Sequence, residues 1–255
     1  MMEPSVYVAL ALAGAAAGFV DAIAGGGGLV SVPALLWAGL PIPVALGTNK
    51  LQSSCGTTLA VIRYARGGLI PWRTLRLAVP VTFVAAMLGV FAVTRLDTGL
   101  LKRIVPIFLL AVAIYTALNP RLGETERSAR LGGAAFALIF GTLLGFYDGF
   151  FGPGAGSFWM MACVLTLGHD LRSATGTTKA LNLVSNVASL IAFACGGFLR
   201  WDVGIAMIAG QLVGARLGSG LVLASGAKII RPIFIATALA LAARLAWQAF
   251  FVHPG

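Results

Sequence analysis

The chain has 255 residues, of which 59% are hydrophobic and 10% are charged. This composition excludes an ordinary soluble domain, which is far less apolar. The net charge of +10 does not indicate a nucleic-acid partner, because the basic residues cluster in short loops between apolar runs. The sequence therefore predicts an all-α, polytopic protein that lies in a lipid bilayer.

Apolar runs that are candidates for transmembrane helices cover most of the chain. A spanning helix needs about 20 mostly apolar residues. We expect about eight such helices, in the runs 5–24, 44–62, 77–94, 104–118, 131–151, 173–195, 203–223 and 232–250. Two shorter runs, 29–40 and 155–167, predict short or re-entrant helices. The first run lacks a basic leader, so we interpret it as a retained helix rather than a signal peptide.

Positive charges predict the orientation of these helices, because arginine and lysine are enriched in cytoplasmic loops. The loops that we assign to the cytoplasm contain Arg63, Arg66, Arg73 and Arg76, then Arg121, Arg127 and Arg130, and then Lys228 and Arg231. Both chain termini and the turn at Arg200 are then predicted to lie outside, together with the loop of Arg95, Lys102 and Arg103. The three cysteines, Cys55, Cys163 and Cys195, lie in apolar runs without metal-ligand spacing and are predicted to be buried free thiols.

An internal repeat is visible in two tetrapeptides. GTNK occupies Gly47–Lys50, and GTTK occupies Gly176–Lys179, 129 residues later. Further matches follow in the same order: Gly18–Asp21 with Gly145–Asp148, Gly67–Gly68 and Trp72 with Gly196–Gly197 and Trp201, and KRIVPIF at 102–108 with KIIRPIF at 228–234. These matches predict a duplication, with a first repeat at 5–118, a cytoplasmic linker at 119–130 and a second repeat at 131–250.

The charge pattern predicts that the two repeats are inverted relative to each other. The stretch from Arg63 to Arg76 is cytoplasmic by the charge rule, whereas the equivalent stretch at 196–202 lies outside. Inverted repeats are the common plan of secondary transporters, which hold their substrate near the midplane where the halves meet. Inverted repeats are related by a pseudo-twofold axis in the membrane plane, which makes the inward-open and outward-open states near mirror images. The sequence therefore predicts alternating access.

The first helix of each repeat runs into a glycine-rich stretch, DAIAGGGGLVSVP from Asp21 and DGFFGPGAGSF from Asp148. Glycine costs about 1 kcal/mol and proline about 3 kcal/mol in a helix interior, so both helices are predicted to break here. The next short helices then direct their N-terminal amides at the break, which suits an anion. Close packing of helices is the alternative role of such glycines. The predicted substrate-binding positions are Gly25, Gly26, Gly27, Gly28, Gly152, Pro153 and Gly154.

Lys50 and Lys179 lie too deep in their apolar runs to be simple helix-end anchors. Their candidate partners are Asp21 and Asp148 or an anionic substrate. Two roles are therefore open: the lysines attract substrate in a central cavity, or a structural Lys–Asp pairing holds each half together. The two roles are compatible if the substrate exchanges with the ion pair. Neutral side chains within one turn of the lysines are predicted to contact the same substrate: Asn49, Gln52, Ser53, Thr178 and Asn182.

These motifs together resemble the sulfite exporter TauE/SafE family of membrane permeases, over about residues 5–250. The resemblance rests on the aspartate before each glycine break, the GTNK and GTTK repeats, the GFFGPGAG stretch at 149–156 and the Gly-Gly turn before tryptophan. It implies an anion transporter of the bacterial inner membrane for sulfite, an organosulfonate such as sulfoacetate, or thiosulfate. Gly26 opposite Pro153, and Asn49 opposite Thr178, make the two half-sites chemically unequal.

Other functions stay open at this stage. The lysines and helix N-termini do not distinguish a sulfonate from a carboxylate, and a channel differs from a carrier in lacking saturable flux. We do not expect an enzyme, a metal or a cofactor, because the two histidines, His169 and His253, form no HExxH motif or cluster. A coupling proton or cation and a homo-oligomer are open as further partners.

Overall fold

The computed structural model describes residues 2–95, 128–226, 228–230, 232–233 and 236. Within these residues the chain is all-helical. We number the helices α1 Pro4–Ala24, α2 Gly28–Trp37, α3 Ile42–Arg66, α4 Trp72–Leu75, α5 Ala78–Val93, α6 Gly133–Phe150, α7 Ala155–Thr166, α8 Leu171–Cys195 and α9 Trp201–Ser225. A π-helical turn, Ala137–Gly141, lies inside α6. The predicted span 104–118, nearly all of the span 232–250 and most of the predicted linker lie outside the described residues.

Four of the helices described in the two long segments are long and apolar enough to cross a membrane, namely α1, α6, α8 and α9. Helix α3 has 25 residues, which gives a length of about 37 Å. Its polar side chains between Thr48 and Thr58 make it less apolar than these four helices. Helix α5 has only 16 residues. The fold is therefore that of a polytopic membrane protein, and four of the six predicted spans that lie in the described residues meet the criteria for a span.

Helices α3 and α8 lie side by side and run antiparallel. Gly47, near the start of α3, contacts the end of α8, because a Cβ added to it would lie 3.1 Å from the Cβ of Phe193. Gly176, near the start of α8, contacts the chain just after α3, where an added Cβ would lie 2.2 Å from the Leu69 carbonyl oxygen. Such close approach excludes any larger residue at either glycine.

The first helix of each predicted repeat packs against a helix of the other repeat. Helix α1 packs along α9, and α6 packs along α5. A Cβ added to Gly18 of α1 would lie 2.3 Å from the Gln211 carbonyl oxygen, and one added to Gly145 of α6 would lie 2.9 Å from that of Thr82. The two predicted repeats are thus interlocked, and the glycines of α1 and α6 permit this close packing.

Basic residues from separate segments of the chain lie at one end of the helices. Arg172 donates from Nη2 to the Leu223 carbonyl oxygen at 3.3 Å. The Arg130 backbone N–H donates to the Thr166 carbonyl oxygen at 2.8 Å. A Cβ added to Gly220 would lie 3.1 Å from the guanidinium of Arg63. This clustering agrees with the predicted cytoplasmic face, while the sidedness itself stays a prediction.

The opposite end of the helices carries a small polar network around Arg200. Its backbone N–H donates to Thr48 Oγ1 at 3.0 Å, and its side chain pairs with Asp202 at 2.8 Å. Tyr7 OH donates to the same carboxylate at 2.7 Å. The hydrogen bond to Asp202 raises the pKa of Arg200, so this residue stays charged where the sequence predicts the external face.

The predicted burial of the three cysteines is right for one of them. All three are free thiols in the described part of the chain, but only Cys163 is buried, whereas Cys55 is partly exposed and Cys195 is exposed. An apolar run in a membrane helix does not by itself imply burial in protein, because side chains that face lipid are apolar too.

Candidate substrate-binding site

Lys50 of α3 forms a buried ion pair with Asp148 of α6. The Lys50 Nζ and Asp148 Oδ1 atoms are 2.5 Å apart, and both side chains are 2% exposed. Lys50 also donates to Asn186 Oδ1 at 3.1 Å. The second carboxylate oxygen, Asp148 Oδ2, accepts from Asn182 Nδ2 at 2.8 Å and from the Ser185 hydroxyl. Hydrogen bonds therefore engage both carboxylate oxygens, which offsets part of the cost of burying the charge.

Lys179 of α8 forms the equivalent ion pair with Asp21 of α1. Lys179 Nζ lies 2.9 Å from Asp21 Oδ2, with side-chain exposures of 0% and 10% respectively. The carboxylate also accepts two longer hydrogen bonds of 3.4 Å each, from Thr57 Oγ1 and from the Gly27 backbone N–H. Asp21 thus joins the break between α1 and α2 to the central helix α8.

The pairing is crossed between the predicted repeats, which corrects one of the two roles considered for the lysines. A Lys–Asp pairing within each half was expected to hold that half together, whereas each lysine contacts the aspartate of the other half. The contacts hold the halves to each other instead. These four side chains are the buried charges among the described residues, and their formal charges sum to zero.

The two ion pairs are connected by hydrogen bonds through residues that the sequence analysis did not select. Asn186 accepts from Lys50 and donates from Nδ2 to Thr57 Oγ1 at 3.3 Å, and Thr57 donates to Asp21. Helical spacing could have predicted both residues. Thr57 and Asn186 each lie seven residues after a lysine and therefore on the same face of its helix. Asn182 was predicted, and it contacts Asp148.

Both first helices are interrupted where the sequence predicts. Helix α1 ends at Ala24 and α2 begins at Gly28, while α6 ends at Phe150 and α7 begins at Ala155. Gly25, Gly152 and Gly154 have φ values of +75°, +87° and +84°, a region that favours glycine. Helix α7 is close to the predicted run 155–167, whereas α2 is shorter than the predicted run 29–40.

The two interruptions lie against each other. A Cβ added to Gly25 would lie 2.4 Å from the Cα of Gly156, and one added to Gly28 would lie 3.1 Å from the Cα of Pro153. A Cβ added to Gly27 would lie 2.6 Å from that of Asp21. These glycines therefore have a packing role, and Gly26 between them is buried. That the stretch also binds substrate stays a prediction.

The neutral residues predicted near Lys50 form their own buried cluster. Asn49 Oδ1 accepts from Ser31 Oγ at 2.5 Å, from Gln52 Nε2 at 2.9 Å and from Ser53 Oγ at 3.4 Å. Within the described residues, Gln52 Oε1 is buried and accepts no hydrogen bond. Thr178, the equivalent of Asn49, is fully buried. The residues of this cluster all lie in the first predicted half, while the asymmetry of the substrate contacts stays a prediction.

Balanced charges buried beside two interrupted helices, in an apolar all-helical fold, are typical of proteins that carry ions or polar solutes through membranes. The fold and site define the class as a membrane transporter. The sequence profile of the family described as "Sulfite exporter TauE/SafE" matches residues 10–245. The chain therefore belongs to the TauE/SafE family.

Individual relatives are similar along most of their length. The chain is 42% identical over 248 residues to "Probable membrane transporter protein YfcA" of Escherichia coli strain K12, covering 97% of this chain and 92% of the relative. It is 39% identical over 240 residues to a "Probable membrane transporter protein" of Haemophilus influenzae, covering 94% of each. It is 26% identical over 242 residues to "Probable membrane transporter protein YunE" of Bacillus subtilis, covering 84% and 88%. No solved structure gives a significant match.

Proposed function

We propose that the protein is a secondary transporter that moves a small sulfur-containing anion, sulfite or an organosulfonate such as sulfoacetate, across the bacterial inner membrane. The observation that carries this proposal is the pair of buried lysines, each bonded to an aspartate beside the opposite helix interruption. A buried ammonium attracts an anion strongly because little water screens it. The family name supplies the sulfur-containing class, and the bacterial relatives support the location.

Alternating access between two inverted repeats is the proposed mechanism. Helices α3 and α8 support it because they have the same length, occupy equivalent sequence positions and run antiparallel. The crossed contacts of α1 with α9 and of α6 with α5 are related in the same way. In such an arrangement one half rocks against the other around the central site, which opens first to one side and then to the other.

Neutral donors are proposed to complete the anion site beside the lysines. Asn49, Gln52 and Ser53 already form one buried cluster, and Asn182 reaches the carboxylate of Asp148. The interruptions at Gly25–Gly28 and Gly152–Gly154 are proposed to contribute backbone N–H groups, as helix N-termini do in other anion sites. A carboxylate substrate is the second candidate, since the same groups would donate hydrogen bonds to the oxygens of either anion.

Transport in proteoliposomes tests the proposal. Uptake of radiolabelled sulfite into vesicles that contain the purified protein is expected to be saturable and to be reduced by excess unlabelled sulfoacetate or thiosulfate. If excess acetate reduces the uptake while sulfoacetate and thiosulfate do not, the carboxylate carrier is favoured. Flux that rises linearly with concentration would indicate a channel, and flux equal to that of protein-free vesicles would contradict transport of sulfite.

A further inference from the structure

The two crossed ion pairs differ in how fully their charges are satisfied. Asp148 accepts from three side chains, those of Lys50, Asn182 and Ser185. Lys50 in turn donates a second hydrogen bond to Asn186. Opening this pair would leave several buried polar groups without partners, which is unfavourable. The Lys50–Asp148 pair is therefore the more strongly held of the two.

The Lys179–Asp21 pair has fewer and longer contacts. Among the described residues, Asp21 is the one hydrogen-bond partner of the Lys179 ammonium, which has three N–H donors. The further contacts of Asp21, with Thr57 and Gly27, are both 3.4 Å long. Its side chain is also more exposed, at 10% against 2% for that of Asp148. Two N–H donors of a fully buried cation thus have no acceptor among the described residues.

We propose that the Lys179–Asp21 pair is the one that opens during transport: the anion binds Lys179, a proton from the aqueous phase binds Asp21, and the Lys50–Asp148 pair stays closed. This inference rests on the proposed function and assigns different roles to its two half-sites. Lys179 becomes the substrate ligand, Asp21 the coupling carboxylate, and the other pair an interhelical clamp.

Charge balance is the reason for the proton. The four buried side chains sum to zero without substrate. A univalent anion beside Lys179 would add one negative charge, and an uncompensated buried charge is strongly unfavourable. Protonation of the Asp21 carboxylate to the neutral acid restores the sum to zero and frees the ammonium from its partner. One anion and one proton therefore bind together and travel in the same direction.

Few other groups near Asp21 are placed to take this proton. Helix α2 carries no charged or titratable residue, and α7 carries only a cysteine. On α3 the lysine belongs to the other ion pair, and Tyr64 uses its hydroxyl to donate to a backbone carbonyl of α1. On α9, Asp202 and Arg216 are exposed at the protein surface. In the described residues, Lys179 of α8 is the charged group that contacts Asp21.

Two neutral double variants test the unequal roles, because each removes a whole pair and leaves no unpaired charge. Lys179→Gln with Asp21→Asn is expected to weaken the binding of radiolabelled sulfite to the purified protein by about tenfold or more, through loss of a charge-assisted contact. Lys50→Gln with Asp148→Asn is the matched comparison at the equivalent positions and is expected to weaken binding severalfold less, because this pair stays closed when the anion binds. Equal losses in both would overturn the inference and leave the proposed function standing. Unchanged binding in both would overturn the lysine site of the proposed function.

The single variant Asp21→Asn provides a second test that does not need the clamp to be altered. It mimics the protonated acid, so it is expected to bind sulfite at least as tightly as the parent. As the pH increases, the ratio of the parent Kd to the variant Kd is expected to rise by up to about tenfold per pH unit. Only the parent must take up a proton to bind the anion, so only its affinity falls as protons become scarce. Sulfite's own titration cancels in this ratio. A ratio independent of pH would overturn the proton assignment, as would the same pH dependence in Asp148→Asn.

Discussion

Gly25 and Gly156 touch backbone to backbone where the two interrupted helices meet. A Cβ added to Gly156 would lie 2.3 Å from the Cα of Gly25, and the reverse approach is 2.4 Å. Gly25 also has a φ of +75°, whereas Gly156 lies inside α7 in an ordinary helical position. The contact fixes the start of α7 against the end of α1 and thereby positions Asp21 near the other half.

Gly156→Ala is expected to destabilise the protein because its methyl group would overlap the backbone of Gly25. Overpacking of this kind typically costs about 1–3 kcal/mol. The thermal unfolding midpoint of the purified protein in detergent measures the effect. Gly132→Ala is the matched control, because an added Cβ there meets nothing within 4 Å. Equal midpoints for the two variants would contradict the close contact.

A double-mutant cycle tests whether the pairing is crossed. Lys50→Gln alone leaves Asp148 buried without its cation, a loss that typically costs about 3–5 kcal/mol. Adding Asp148→Asn is expected to recover part of that stability, whereas adding Asp21→Asn is expected to lower it further. The unfolding midpoints of the three single and two double variants decide between these outcomes. Recovery by Asp21→Asn instead would mean that each half pairs within itself.

Gln52→Leu tests the role of the neutral cluster in the first half. The equivalent position in the second half is Leu181, and Gln52 Oε1 has no hydrogen-bond partner among the described residues. Leucine removes the hydrogen bond from Gln52 Nε2 to Asn49 together with the unpaired Oε1, and Asn49 Oδ1 keeps two hydroxyl donors, so the expected loss of stability is at most about 1 kcal/mol. Loss of a neutral hydrogen bond to the substrate, about 0.5–1.5 kcal/mol, would weaken sulfite binding about two- to tenfold. Ser54→Ala is the control, since that hydroxyl donates to the Lys50 carbonyl oxygen of its own helix. Unchanged affinity in Gln52→Leu would remove this residue from the substrate site.

Cysteine labelling tests the inverted orientation. Arg66 and Cys195 are equivalent at the offset of 129 and are both exposed. In a chain without Cys55 and Cys163, an impermeant maleimide is expected to label Cys195 on intact cells. A cysteine-free chain with Arg66→Cys is expected to react only in inside-out vesicles. Labelling after solubilisation in detergent controls for reactivity, and labelling of both sites from one side would exclude inverted repeats.

The sequence predicts the helix interruptions more accurately than it predicts the membrane spans. The interruptions near Gly25 and Gly152 were predicted because glycine and proline disfavour helix wherever they occur. The eight spans were predicted from hydropathy. Polar residues that line a protein interior lower the hydropathy of a helix even where it crosses the membrane. Helix α3 has the length of a span, yet its residues from Thr48 to Thr58 make it more polar than α8.

The partners in the candidate site could not be predicted from the repeat alone. The offset shows that Lys50 is equivalent to Lys179, and Asp21 to Asp148, but equivalence does not determine which half supplies the partner. That choice depends on the packing of α1 against α9 and of α6 against α5. Asn186 was missed because its role lies in joining two ion pairs that are distant in sequence.

The cancelling charges of the four buried side chains determine whether the membrane potential would act on the proposed transport cycle. Moving one elementary charge through 100 mV changes the free energy by about 2.3 kcal/mol. A carrier that reorients with two lysines and two ionised aspartates moves no net charge when empty, so voltage does not drive its return step. Loaded with one anion and one proton, it is again neutral. With the proposed coupling, transport is expected to be electroneutral, and the gradients of anion and proton would set its direction.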